Sequence, residues 1–555
     1  MTLRKTADTA DLTDRNMGLF RGTGHDFGPH YLSRPFTERT LLHVLEERTR
    51  DRPDHDWLVF DSEHRMTFRE ARTSAARVAN SVGRLGDGPI HVGMLLRNQP
   101  EFMPTMFGAM MSGGVAVPLN ADARGPLLED MIDVADVRIM VIRSDLVEWV
   151  GRLESLHRVE LVVVVGDDVP SAVCGVPAIA WDAWLEGSDD TPPATSPAWT
   201  DLAMIMFTSG TTGRAKGAMY SHHFFYLYAS TVADALERSQ DDVLTTPMPL
   251  YHSAALHLIA NSALMVGGTA HLKSRFSASR FWDEVVADGA TGGIILGPMA
   301  AMVLKATEGE PEHRMDHLWC VPPIQKEEFE ARFGVRIIWQ GYAMTEVEPM
   351  PMRKDMLPEV PIDTLGYIAR WMDWGVVDEH DRLLPPGERG ELVVRSLVPK
   401  GMFDGYYGRP DVTAHAFRNF AFHTGDLTSY DEDGLLHFHG RMQERIRRRG
   451  ENISASEVEY VVLRHPDVLE AAVYGVPSPL GEQDVKLDVV GRASLDLDAL
   501  VAWLRENLPR YMVPRFVERR ESFPKTPSER IRKHVLMEDP LDRPEVLDTE
   551  AGRDR

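Results

Sequence analysis

Two hydropathy periods alternate along this chain. In RMTFREARTSAARVANSVGRL (65–85), apolar residues recur at helical spacing behind a short extended start, which predicts a strand leading into an amphipathic helix. HVGMLL (91–96), VRIMVI (137–142) and LVVVVG (161–166) are short continuous apolar runs, and each predicts a buried strand. FMPTMFGAMMSGGVAVPLN (102–120) reads as a helix, a glycine break and a further strand. Strands alternating with helices predict an α/β fold with mostly parallel strands. Residues 186–200 are rich in Pro, Ser, Thr and Asp and read as a surface connection.

From about 375 to 440 the pattern changes to short strands and turns, GVVDEHDRLLPPGERGELVVRS and LTSYDEDGLLHFHG, which predict a small β subdomain. After Arg441 come a basic stretch, a helix, strands and another helix. The expected organisation is a loosely packed lead-in over 1–36, then a large N-terminal domain of α/β layers over 37–441 that includes the β subdomain at 375–440. A small α+β C-terminal domain over 442–536 follows, with an acidic tail over 537–555. The tail has little to bury and is expected as a surface strap or as disordered chain.

Composition narrows the function classes. The chain has 555 residues, 43% of them hydrophobic, and a formal charge of −24. That balance is ordinary for globular proteins and argues against a nucleic-acid backbone as the main partner. A local cationic pocket for a small anion is still compatible with it. Two cysteines, Cys174 and Cys320, exclude a disulfide framework or a cysteine-rich metal site. No run approaches the roughly 18 apolar residues that span a bilayer, and the polar start lacks a signal-peptide core. The expectation is a cytoplasmic protein without a membrane span.

The most informative segment is AMIMFTSGTTGRAKGAMYSHH. An apolar run enters Thr208, Ser209, Gly210, Thr211, Thr212 and Gly213, and Arg214 and Lys216 add positive charge. Glycines let backbone N–H groups approach a polyphosphate, and the hydroxyls add donors. The spacing is not that of a Walker loop. A helix is expected to follow the loop.

This loop resembles the TSGTTGxPKG phosphate loop of the adenylate-forming superfamily, which comprises acyl- and aryl-CoA synthetases, peptide-synthetase adenylation domains and beetle luciferases. Ala215 stands where proline is usual. Further motifs follow in family order, and the resemblance runs from about residue 40 to 536. PLYHSA (249–254) is similar to the aromatic-histidine motif beside the acyl pocket, with Tyr251 and His252. WQGYAMTEVE (339–348) is similar to YGxTE, although Ala343 replaces its glycine. The match implies that Gly341 and Tyr342 border adenine, Thr345 contacts the α-phosphate and Glu346 holds Mg²⁺. RGELVVRS (389–396) and GYYGRPDVTAHAF (405–417) also fit. FHTGDL (422–427) supplies Asp426 as the ribose ligand, and a carboxylate accepting two hydroxyl protons suits that role. Arg441 would contact ribose or phosphate, Gln443 would be the hinge, and Gly450 begins a GEN loop that closes over the site when the mobile C-terminal domain rotates. The implied substrates are ATP, a carboxylic acid and coenzyme A, with AMP released.

One family residue is exchanged. The superfamily carries a catalytic lysine in PxTxxGKI, whereas this chain reads Pro524-Lys525-Thr526-Pro527-Ser528-Glu529-Arg530-Ile531. Arg530 therefore takes the lysine position and Glu529 that of the preceding glycine. Lysine is a compact point charge, whereas guanidinium is planar and bulkier. Three readings follow. Adenylation is crippled while thioesterification survives, so that an acyl-adenylate comes from a separate adenylating ligase. Alternatively Arg530, or a shifted Lys525 or Lys533, does the usual work and the enzyme is a complete two-step ligase. The third reading is adenylate binding without catalysis.

Substrate contacts are expected near Tyr251–His252, Gly297–Met302, Cys320–Pro323 and Gly341–Met344, including Ala343. Several of these are bulky or soft apolar side chains, which fits a hydrophobic and bulky carboxylic acid or its adenylate, with a fatty acid as runner-up. No acidic residue stands out as a clamp for a substrate amine.

Overall fold

A computed structural model describes residues 34–550, except 87, 195, 209–215, 322, 324, 340, 351–363, 370, 443–444, 449–450, 479–482, 509 and 527–529. Most of the expected lead-in thus lies outside the described residues. Two compact units emerge. One takes in the chain up to Asp373 together with Arg395–Phe417, and the other takes in Trp374–Val394 and everything from Arg418. The expected boundary at 441/442 falls inside the second unit, which also holds most of the expected β subdomain.

The first unit is built on two largely parallel sheets. Among the described residues the first runs in the order Arg336–Ile338, His317–Val321, Gly292–Leu296, Val243–Thr246, Thr269–Leu272, Asp56–Phe60, His64–Thr67. Only the last pairing is antiparallel. The second runs Gly217–Ser221, Leu202–Phe207, Val115–Pro118, His91–Leu95, Ile139–Arg143, Leu161–Val165, Val176–Ala180, Ala172–Val173, antiparallel at its two ends. The apolar runs read from the sequence are the central strands: every residue of His91–Leu95 is buried.

Local chemistry explains the helices. Phe68–Gly83 opens on a capping box, in which Thr67 Oγ1 accepts from Glu70 N at 3.2 Å and Thr67 N donates to Glu70 Oε2 at 2.8 Å. It buries Phe68, Ala71, Ala75, Ala76, Val78, Ala79 and Val82, one helical stripe. The helix Phe102–Met111 lies so close that a Cβ on Gly108 would come within 2.5 Å of Val78 Cβ. A larger residue there has to push the two helices apart.

Burial also fixes three histidines in their neutral form. It pushes His222 and His223 down to about 4 and His257 down to about 3, from an ordinary 6.5. The unfolded chain takes up these protons near pH 6.5, whereas the folded chain refuses them. Stability is therefore full above that pH and is lost as the pH falls toward 4. Between pH 7 and pH 5 the unfolding free energy from urea titration is expected to drop by about 1–2 kcal/mol per histidine. A flat or rising profile over that range would contradict this burial.

In the second unit, Ala421–Tyr430 pairs antiparallel with Leu436–Arg441 and with Gly390–Ser396. Beyond it come the hairpin of Arg445–Arg448 with Glu451–Ser454, the helices Ala455–Val462 and Leu497–Asn507, and a four-stranded sheet. That α+β order is the one expected. Over its described residues, 537–550, the tail lies as a strap: Val546–Asp548 pairs with Phe516–Arg519 at the sheet edge. Its carboxylates meet arginines, Asp548 with Arg515 at 3.3 Å, Glu550 with Arg448 at 3.0 Å and Asp539 with Arg520 at 2.7 Å. These described residues are held by charge pairs to the buried Arg448 and Arg515 and the half-buried Arg520.

Candidate active site

Four segments singled out in the sequence leave neighbouring strands of the first sheet at the same edge. Tyr251 and His252 follow Val243–Thr246, Gly297 directly follows Gly292–Leu296, Cys320 lies near the end of His317–Val321, and Gly341 follows Arg336–Ile338. These strands are parallel, so all four segments sit at carboxyl ends, where open α/β sheets bind ligands. Gly297 starts the helix Gly297–Ala306. Cys320 differs from the rest. Its thiol is fully buried in a core cluster with Phe281, Ile295 and Phe329, and burial pushes it up to about 12. The thiol is core, so any part Cys320 has in a pocket belongs to its backbone.

The turn carrying Tyr251 and His252 is pinned by a residue that motif reading missed. Buried Asn98, just beyond the strand His91–Leu95, donates to Met248 O and Lys273 O, both at 2.9 Å, and accepts from Leu250 N at 2.9 Å. It ties the second sheet to the first at their carboxyl ends. The available signal was a polar Asn-Gln-Pro directly after an apolar strand. Tyr251 reaches Asp122 at 3.4 Å, and its ring lies 5.0 Å from that of His252.

The glycine-rich loop proves to be a hairpin connection. Leu202–Phe207 and Gly217–Ser221 pair antiparallel, and Thr208 N donates to Lys216 O at 3.0 Å across the loop base. A strand therefore follows the loop, and the expected helix begins only at His222. Ser209, Gly210, Thr211, Thr212 and Gly213 lie outside the described residues.

Thr345 and Glu346 form the tip of a second hairpin, between Tyr342–Met344 and Val347–Met350, with Met344 opposite Val347. The chain enters through Gly341 at φ +120°, a conformation side chains disfavour, and Gly341 N donates to Leu365 O at 3.0 Å. Tyr342 is buried, Met344 is half-buried and Ala343 is exposed. Ala343 occupies an ordinary strand position, so a Cβ is tolerated where the family has glycine.

Glu346 is only 6% exposed, and Tyr406 donates its hydroxyl proton to Glu346 Oε1 at 2.7 Å. Burial, and then the Glu346 charge, push that hydroxyl far up, which keeps it a donor. Lys216 Nζ sits 5.6 Å from the centre of the Tyr406 ring. Backbone bonds knit the parts together: Phe403 N to Glu346 O at 3.1 Å, Met219 N to Gly405 O at 2.9 Å and Tyr407 N to Gly217 O at 2.8 Å. Tyr220, on the strand leaving the glycine-rich loop, donates to Thr345 O. These bonds join the strand that leaves the loop, the Thr345–Glu346 tip and Tyr406 in one network. Tyr406 lies in a segment that resembled the family, but its contact with Glu346 was not legible there.

The second unit carries the remaining candidates. Asp426 is fully buried, stands opposite Arg441 in the ladder and pairs with its Nε at 2.8 Å. Its turn is set by Gly425, at φ +72°, whose N–H donates to Glu391 at 2.9 Å. His423 holds the same carboxylate at 2.8 Å. Gln443 and Gly450 lie outside the described residues. Arg530 is exposed, Thr526 N donates to Arg530 O at 2.8 Å and Arg530 N donates to Thr526 Oγ1 at 3.1 Å. Lys525 lies across from Ile531, which fixes the register. Lys525 pairs with Glu470 at 2.6 Å and Lys533 with Glu459 at 2.9 Å.

Comparison with known proteins matches residues 45–407 to the AMP-binding enzyme family and residues 457–530 to the AMP-binding enzyme C-terminal domain. A feruloyl-CoA synthase of Amycolatopsis sp is 30% identical over 481 residues, covering 84% of this chain and 92% of that protein. A medium/long-chain-fatty-acid–CoA ligase of Mycobacterium tuberculosis is 31% identical over 559 residues, covering 92% of this chain and 89% of that protein. An anthranilate CoA ligase solved with anthranoyl-AMP shares the fold, with a TM-score of 0.82 at 21% identity, over 91% of this chain and 98% of that one.

Proposed function

The chain belongs to the AMP-binding enzymes, in their AMP-forming acyl-CoA ligase branch, and on that premise we propose that it makes an acyl-CoA thioester from an acyl-adenylate and CoA. AMP leaves, and adenylation by ATP is impaired or absent. The observation that carries this reading is the fixed register at Arg530. The match to PxTxxGKI supports arginine as the cation at the lysine position, and the Lys525–Ile531 pairing and the Thr526–Arg530 bonds are in keeping with that register. The neighbouring lysines are each held in an ion pair, which argues against a shifted substitute.

In adenylation a carboxylate attacks the α-phosphorus and pyrophosphate departs. Two anions meet, so the site needs concentrated positive charge. A planar guanidinium spreads its charge and needs more room between a phosphate oxygen and a carboxylate than a compact ammonium does. In thioester formation the CoA sulfur attacks the acyl carbon, the acyl–phosphate bond breaks and AMP carries away the electron pair. That step loses less from the exchange at Arg530.

The other roles follow the family positions. The glycine-rich loop with Lys216 receives phosphates, Tyr342 and Gly341 border adenine, Thr345 meets the α-phosphate and Asp426 takes the ribose hydroxyls, with Arg441 beside it. Glu346 is the protein ligand for Mg²⁺. Among the described residues no cluster of three or more metal-ligating side chains occurs. A single carboxylate completed by substrate phosphates is the usual mode for that ion, so the residues present fit it. Gln443 is the proposed hinge, and Gly450 belongs to the loop that closes for the thioester step.

The acid is hydrophobic. Relatives named for feruloyl and for medium/long-chain fatty acyl groups support that class. The bulky side chains near the expected pocket favour a bulky acid over a linear one. A complete two-step ligase is the second reading, favoured by the retained positive charge at position 530. The test is to supply synthetic acyl-adenylates with CoA and, separately, free acids with ATP and Mg²⁺. The proposal expects acyl-CoA in the first mixture, with pyrophosphate exchange in the second near background.

A further inference from the structure

Downstream of His252 the chain forms a short helical turn, Ser253–Ala255, and then runs as a π-helical stretch, Leu256–Asn261. Such stretches are uncommon and often mark functional sites. This one carries His257 and Asn261 four residues apart, which puts them on one helix face. Both side chains are fully buried. Among the described residues neither ring nitrogen of His257 has a hydrogen-bond partner, and neither amide atom of Asn261 has one. Four polar atoms without partners in an apolar surrounding are costly, and folded proteins normally avoid them.

The surroundings connect this pair to the reaction site. The His257 ring stacks on Tyr228 with centroids 4.0 Å apart, meets the edge of Phe225 at 5.1 Å and lies 6.0 Å from Tyr220. Tyr220 is the residue whose hydroxyl donates to Thr345 O, beside Glu346. One aromatic ring thus separates His257 from the hairpin assigned to the α-phosphate. The pair also stands on the same helical run that begins beside the aromatic-histidine turn. The backbone there is held in turn, since Trp57 Nε1 donates to Ala260 O at 3.0 Å. An imidazole and an amide so fixed offer donors and acceptors already oriented, with little ordering left to do on binding.

Resting on the thioester-forming reading above, we propose that the acyl group carries a neutral hydroxyl on its apolar body, and that His257 and Asn261 receive it. A neutral imidazole and a carboxamide each present one donor side and one acceptor side. A hydroxyl is donor and acceptor at once and therefore matches both. Burial keeps His257 uncharged at neutral pH, so it offers no ion pair to a second carboxylate on the substrate. The surrounding Tyr228, Phe225 and Tyr220 rings suit a flat or bulky apolar carrier for that hydroxyl.

The test uses matched pairs of acyl chains with and without one hydroxyl: 3-(4-hydroxyphenyl)propanoyl with 3-phenylpropanoyl, 12-hydroxydodecanoyl with dodecanoyl, and a hydroxylated bile acyl with its deoxy form. Each is supplied as the acyl-adenylate with CoA for kcat/KM. Each is also supplied as the non-hydrolysable acyl-sulfamoyl adenosine for calorimetric binding. In at least one pair the hydroxylated member is expected to win by about tenfold or more, because its absence strands two buried polar side chains. In His257→Phe and Asn261→Leu that ratio is expected to fall toward one. His257→Gln, which keeps a donor and an acceptor, is expected to retain part of it.

No hydroxyl preference in any pair, or a preference unchanged in the variants, overturns the proposal. Altered melting temperature with an unchanged ratio overturns it too and makes the pair structural. If no adenylate yields thioester, the functional reading fails instead, and the binding ratios still decide the matter. Should one variant fail to fold, the other and His257→Gln carry the comparison.

Discussion

Arg530→Lys is expected to raise ATP-dependent adenylation by about 10- to 1,000-fold, the range over which single preorganised charge donors act. The reason is geometric. A lysine ammonium is small enough to sit between a phosphate oxygen and the attacking carboxylate, and a guanidinium spreads the same charge over a wider plane. The gain should appear in pyrophosphate exchange and leave the rate from preformed acyl-adenylate within a few-fold. Position 529 matters as well. Glu529 adds a negative charge next to the site and lacks the backbone freedom of the family's glycine. The Glu529→Gly/Arg530→Lys double variant is therefore expected to equal or exceed the single one. If neither variant gains, the impairment does not reside at this turn.

Glu346→Gln, made in that Arg530→Lys background, should lower adenylation by about 10²–10³, to the unsubstituted level or below it. Glu346 is buried and takes the Tyr406 hydroxyl at 2.7 Å, so glutamine preserves the shape and a hydrogen bond but removes the charge. A neutral amide is a poor ligand for Mg²⁺. Thioester formation from a supplied adenylate involves no pyrophosphate departure and should fall much less, about tenfold or below. Equal losses in both half-reactions would mean that Glu346 acts by holding the hairpin tip and not through charge.

Much of this was legible in the sequence. Continuous apolar runs such as His91–Leu95 became central strands, and the Phe68–Gly83 stripe became the expected helix. The segments at Tyr251–His252, Gly297, Cys320 and Gly341 fell onto adjoining carboxyl ends of one sheet, where open α/β sheets bind ligands, whereas the glycine-rich loop lies on the other sheet. What escaped shows the limits of periodicity. The helix expected after the glycine-rich loop is preceded by Gly217–Ser221, a strand too short to stand out from its neighbours. Asn98 is a single polar residue whose three hydrogen bonds link two sheets, and such long-range partners leave no local pattern. The tail, with little apolar surface to bury, read as either a surface strap or disordered chain. Its partners are Arg448, Arg515 and Arg520, which are remote in sequence. His257 and Asn261 belong to no motif, and only the fold shows their buried polar atoms to lack partners among the described residues.

The most direct test of the divided reaction measures both halves on one preparation of the protein. Free acids with ATP and Mg²⁺ are followed by pyrophosphate exchange, and synthetic acyl-adenylates with CoA are followed by mass spectrometry of the acyl-CoA. The account predicts thioester formation from adenylates at a rate at least tenfold above any adenylation from free acid. Adenylation as fast as thioesterification, with Arg530 in place, would contradict it and make this chain a complete two-step ligase.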